Sequence, residues 1–261
     1  MANRVDYEEQ TLSVAGLSLA LRKKGSGSPA VVLHQDVGAH AWLPFHEQLS
    51  RSLEVFVPDL PGFGKSDRPE WARHPRDLAI LTLQLLDQLK LDRLTLIGLG
   101  FGGWVAAEMA TMAQERLDSL VLVAPMGIKP QHGDIVDQMM LSHIDYVKAG
   151  FHDDAAFESY FPGDIDAELS LFWDLNREMT ARVAWKPYMF SHQLPHLLKG
   201  VLTPTLVVWG EQDRVVPREC GDLFAQALPN SELALLSDAG HFVELECPEE
   251  LARLIEKHSH S

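Results

Sequence analysis

The sequence predicts an α/β protein: a mostly parallel, doubly wound sheet interrupted once by a helical insertion. Three observations carry that expectation. Short, almost wholly apolar runs of strand length recur at 29–34, 55–59, 94–98, 120–124 and 204–210, the pattern of strands buried on both faces. Between them lie segments with apolar residues at helical spacing, and such alternation builds parallel strands joined by crossover helices. From about 126 to 199 the strand runs stop, and bulky residues such as Met139, Met140, Phe151, Phe172 and Trp173 gather in helical segments.

Taken in order, residues 11–22 hold two short alternating runs about Ala15-Gly16, which read as a β-hairpin. The run 29–34 is a buried strand, 42–53 an amphipathic helix and 55–59 the next strand, followed by a turn-rich loop at 60–67. Leu78, Leu81, Leu85, Leu86 and Leu89 set a helix over 76–89. The strand 94–98 feeds directly into a helix over 102–112, and 120–124 is again a strand. After the insertion come a strand at 204–210, a helix at 218–227, a strand at 233–236 and a last helix at 248–257. The core domain is therefore expected over 1–125 and 200–261, with a helical lid over 126–199.

Composition bounds the function. The 261 residues are 46% hydrophobic and 23% charged, which excludes a disordered or fibrous chain. No apolar run reaches the roughly 18–20 residues of a membrane span. With 22 Lys+Arg against 37 Asp+Glu the formal charge is −15, so a phosphate backbone would be repelled and nucleic acid is excluded as a partner. Cys220 and Cys247 are too few for a disulfide framework and point to a reduced, cytoplasmic setting. The start at 1–9 is acidic, without the apolar stretch of a leader peptide.

The segment Gly98-Leu99-Gly100-Phe101-Gly102 carries a strand straight into a helix, with small residues at the crowded positions. That is the backbone of the nucleophile elbow, in which a strained turn lifts a serine hydroxyl above a sheet. Here Gly100 holds the middle position. His34-Gln35-Asp36-Val37-Gly38 follows a strand where an oxyanion loop would lie. Gly210-Glu211-Gln212-Asp213 follows a late strand, and Asp238-Ala239-Gly240-His241-Phe242 follows the last one. Elbow, acid and histidine come in the chain order this arrangement requires.

With Pro58-Asp59-Leu60-Pro61-Gly62-Phe63-Gly64-Lys65-Ser66 added, these segments make the chain resemble the α/β-hydrolase superfamily. The lidded meta-cleavage-product hydrolase and epoxide hydrolase-like branches are the most similar. The resemblance implies the α/β-hydrolase fold over nearly the whole chain, no cofactor, His241 as general base and Asp213 as the acid that orients it. It implies an oxyanion hole from the N–H groups of Phe101 and Asp36. The sequence departs from the family at Leu99, Gln35 and Asp36, and above all at Gly100, which has no side chain to attack a substrate.

Glycine at position 100 relieves the elbow's backbone strain and is expected to open a hole the size of one water beside His241. Several readings stay open. The chain is an enzyme that hydrolyses a small apolar carbonyl compound (ester, lactone or C–C bond) through the His241–Asp213 dyad. Or it is a lyase using the same dyad, a pseudo-hydrolase that binds a ligand, or a serine hydrolase inactivated by a Ser-to-Gly change. His34, Gln35 and Trp104 are expected at the site, with Trp185 and His192 reaching it from the lid. A minor alternative places a metal ion among His34, Asp36 and His241. The aromatic-rich lid implies a small apolar or aromatic substrate, taken by a monomer or homodimer.

Overall fold

Alternate residues of the buried strands face opposite apolar layers, and that alternation fixes the architecture. In a computed structural model that describes residues 6–259, eight strands form one sheet. Part of the acidic start (1–5) and the last two residues lie outside that range. The strands are β1 (Glu8–Val14), β2 (Leu17–Lys24), β3 (Ser28–Leu33), β4 (Leu53–Pro58), β5 (Leu94–Leu99), β6 (Leu117–Val123), β7 (Thr205–Gly210) and β8 (Ser231–Leu236). Their spatial order is β1-β2-β4-β3-β5-β6-β7-β8. The hairpin β1–β2 turns at Ala15-Gly16 and pairs antiparallel, as does β2 with β4, while every later neighbour is parallel.

In β3, Val31 and Leu33 pack into one core layer while Ala30 and Val32 pack into the other. The first layer is closed by α2 (Pro75–Leu89), α3 (Phe101–Ala113) and α8 (Glu219–Ala227), and the second by α1 (Pro44–Leu49) and α10 (Pro248–Ser259). The sheet is thus doubly wound, as the periodicity implies. The amphipathic stretch 42–53 is only partly helical. Proline opens α1, the helix ends at Ser50, and Leu53 is drawn into β4 by its pairing with Ser28.

Between β6 and β7 lie α4 (His143–Ala149), α5 (Asp154–Tyr160), α6 (Ala167–Ala184) and α7 (Leu194–Leu197), with one isolated bridge, Gly127 to Phe190, and no strand. Asp and Ser side chains cap three of these helices: Ser142 for α4, Asp153 for α5 and Asp166 for α6. Phe151, Phe157 and Trp173 form an aromatic cluster that includes Phe242, the residue after His241. A short helix, α9 (Val243–Glu246), follows directly. The insertion is therefore packed against the loop that carries the candidate base. Among the described residues no helix is long and apolar enough to cross a membrane.

Candidate active site

The loops leaving the carboxyl ends of β3, β5, β7 and β8 bring His34-Gln35-Asp36, Gly100, Asp213 and His241 together, the edge where open parallel sheets place their sites. β5 turns into α3 at Gly100, whose φ of 48° and ψ of −110° suit glycine. Two residues on, the Gly102 N–H donates to His34 O at 3.0 Å, and a side chain there would strike the carbonyls of Leu33 and His34. The crowding explains the small residues around the turn.

Asp213 and His241 form the central pair. The Asp213 carboxylate accepts from the N–H groups of Val215 (2.8 Å) and Val216 (2.9 Å) through Oδ1, and from His241 Nδ1 (2.9 Å) through Oδ2. Neither side chain has exposed surface. Three contacts fix the carboxylate, so the imidazole carries its proton on Nδ1 and presents Nε2 as the basic atom. Burial pushes the His241 pKa down, but the acidic groups around it, the Asp213 carboxylate first, outweigh it and the net direction is up. Nε2 is buried and has no partner within the protein.

Position 100 does not open a water-sized hole. Gln35 fills it: a Cβ on Gly100 would collide with Gln35 Oε1 and lie 3.0 Å from His241 Nε2. The Gln35 amide donates from Nε2 to Glu244 Oε2 at 3.3 Å, and its Oε1 is buried without a partner. Burial raises Glu244 to about 7. Asp36 is fully buried. Its Oδ2 accepts from the Tyr146 hydroxyl of α4 at 2.7 Å, Thr180 of α6 donates to its carbonyl at 3.2 Å, and Oδ1 has no partner within the protein. Burial raises the Asp36 pKa, against smaller opposing effects of Tyr146, His241 and the N–H groups of Asp36 and Val37.

Several expected residues lie elsewhere. His34 stands behind the loop. Its Nε2 accepts from Leu60 N–H at 2.9 Å and its Nδ1 donates to Gln35 O at 2.6 Å. With both nitrogens engaged, the imagined metal trio of His34, Asp36 and His241 does not assemble. No metal-binding group of three such side chains exists among the described residues. Trp104 is core rather than lining: it packs on Phe101 and His74 and donates to Glu108 at 3.3 Å. Trp185 is 51% exposed and stacks edge-on with Tyr188, while His192 is exposed against Phe190. Neither reaches the dyad: Trp185 caps the end of α6 and His192 lies in the exposed segment before α7. Phe101 lies in the core with its N–H in the first turn of α3, where amides lack intrahelical partners.

Tyr146 and Glu244 were not singled out from the sequence. Tyr146 lies 110 residues from Asp36, so no local spacing marks it. Glu244, three residues after His241, is a charged residue in an otherwise apolar stretch (Phe242-Val243), and that was a usable signal. A cavity of about 30 Å³ lies next to the site, walled by Gln35, His40, Val147, Phe161, Trp173, Phe242 and Glu244 among others. That is space for a water or two.

A parallel sheet wound on both faces, with a buried His–Asp pair at its carboxyl edge, defines the hydrolase class of α/β proteins. Residues 27–254 match the family model described as alpha/beta hydrolase family, and the chain belongs to that family. A 2-hydroxy-6-oxo-2,4-heptadienoate hydrolase of Pseudomonas putida is 27% identical, covering 92% of each chain. A 2-hydroxy-6-oxononadienedioate/2-hydroxy-6-oxononatrienedioate hydrolase, also of Pseudomonas putida, is 31% identical over 92% of this chain and 90% of its own. The solved meta-cleavage product hydrolase of Pseudomonas fluorescens IP01 superposes with a TM-score of 0.78 at 20% identity, over 96% of this chain and 97% of that one. That last likeness is one of fold.

Proposed function

We propose that the protein hydrolyses a small apolar carbonyl compound, an ester, a lactone or a C–C bond beside a carbonyl, with His241 as general base and no covalent intermediate. The observation that carries this reading is the buried Nε2 of His241, held in its basic tautomer by Asp213 and aimed at the position where the family resemblance places a nucleophile. In this scheme Nε2 takes a proton from a water molecule and the water oxygen bonds to the carbonyl carbon. The oxyanion so formed faces the N–H of Phe101 at the start of α3, where helix amides favour negative charge. The imidazolium then returns its proton to the leaving group as the carbon–leaving group bond breaks. The insertion acts as the lid, and its aromatic cluster supports an apolar substrate.

One observation favours a second reading, a lyase working by proton transfer. Gln35 Oε1 stands where attack would have to begin, so a substrate could lose a proton to His241 without water joining it. Turnover of aryl esters and vinylogous diketones in ¹⁸O-labelled water separates the two. Hydrolysis puts one solvent oxygen into the acid product, and the lyase puts in none. His241→Ala is expected to lower kcat by about 10²- to 10⁴-fold with the fold intact. A protein that turns over nothing, yet gains thermal stability with such ligands, is the binding pseudo-hydrolase instead.

A further inference from the structure

Asp36 is the anomaly of the site. A carboxylate beside a developing oxyanion would oppose the charge that must form there. The surroundings argue that this carboxyl is not a carboxylate. It is fully buried, and α4 places the Tyr146 hydroxyl on Oδ2 at 2.7 Å. Oδ1 has no hydrogen bond from the protein. An ionised Oδ1 left unpaired in such a site is costly, whereas a protonated one offers an O–H to whatever enters. The titratable groups around it are Tyr146 and His241, which act on Asp36 itself, Tyr188, on which Asp36 acts, and behind them Asp213, Glu244 and Asp137, which act on those three. Burial outweighs the two acting directly on Asp36, Tyr146 and His241, which favour its ionised form.

We propose that Asp36 works as a neutral carboxylic acid whose Oδ1–H donates to the substrate carbonyl oxygen, with Tyr146 holding Oδ2 as the acceptor end. The inference rests on His241 being the base. It adds a side-chain donor to the Phe101 amide in the oxyanion hole. No proton leaves Asp36: its hydrogen bond shortens as negative charge grows on the oxygen and relaxes as that charge departs. An apolar site that keeps a carboxylic acid neutral near pH 7 makes it a donor suited to this task. The substrate class narrows accordingly, to compounds whose carbonyl oxygen arrives neutral and becomes an oxyanion or enolate.

The sign of the pH effect follows. Burial holds the Asp36 pKa up, the donor exists below that pKa, and activity falls as pH rises through it. The test combines a readout that needs no turnover with one that does. Carbon-13 NMR titration of the Asp36 carboxyl in the intact protein is expected to show it protonated at neutral pH, and a carboxyl already ionised there overturns the proposal. In kinetics, Asp36→Asn, which keeps a donor, is expected within about tenfold of the native kcat and without the alkaline decline. Asp36→Ala is expected to lose about 10²- to 10³-fold. Asparagine as damaging as alanine overturns the proposal. Tyr146→Phe removes a donor that stabilises the ionised form, so the alkaline limb should move to higher pH; an unmoved limb counts against the proposal. His241→Ala, assayed alongside, reports separately on the base: if it retains activity the hydrolytic reading fails, whatever Asp36 does.

Discussion

Gly100 and Gln35 occupy one another's space. The carboxamide oxygen of Gln35 sits where a side chain on residue 100 would begin, and the backbone there has a positive φ that favours glycine. Gly100→Ser therefore meets both a steric neighbour and a strained backbone, and a loss of about 1–3 kcal/mol is expected in urea unfolding. Because the two sites share one volume, the loss should shrink by about 0.5–3 kcal/mol in a Gln35→Ala background. Strictly additive effects would mean the side chain lies elsewhere. The same pair shows what a sequence can and cannot disclose. That Gly100 ends a strand and opens a helix was legible from the small residues around it. That a glutamine 65 positions earlier in the chain fills its place was not, because the contact depends on the side chain's course across the sheet edge.

Helix α6 holds the insertion to the core through several polar residues, Asn176 and Thr180 among them. Asn176, 2% exposed, donates to Val37 O at 2.9 Å and accepts from Gly64 N–H at 3.0 Å, so it joins the oxyanion loop to the turn-rich loop after β4. Gly38 lies against the same amide and could carry no side chain without striking it. Asn176→Ala leaves both backbone groups without that partner, and a cost of about 1–3 kcal/mol is expected. Hydrogen exchange should quicken in α6 and in the loop at 35–38 before it does in β5. Uniform quickening across the sheet would show instead that the insertion and core unfold as one unit. The helical character of the insertion was readable from its composition. Its seating was not, since Trp185 and His192 look like pocket residues, yet the packing leaves both exposed.

Across the whole molecule, the strand runs were legible because strands buried on both faces leave continuous apolar stretches, and every run at 29–34, 55–59, 94–98, 120–124 and 204–210 overlaps a strand of the sheet. The ends of α1 and β4 were less so, because Leu53 satisfies a helical period and a strand pairing equally well. His241 and Asp213 were legible from their motif segments, their chain order and the family resemblance, while the polar environment around them, Tyr146 and Glu244 included, is assembled by tertiary packing. What unites sheet, insertion and loops is a buried imidazole with a carboxylate behind it, and the proposed chemistry uses no nucleophilic side chain before it. Intact-protein mass spectrometry during steady-state turnover of an activated aryl ester tests that most directly. The expected result is product accumulating while the protein keeps its unmodified mass at every time point. A transient adduct of the mass of the acyl group would contradict it and assign the first chemical step to a side-chain nucleophile.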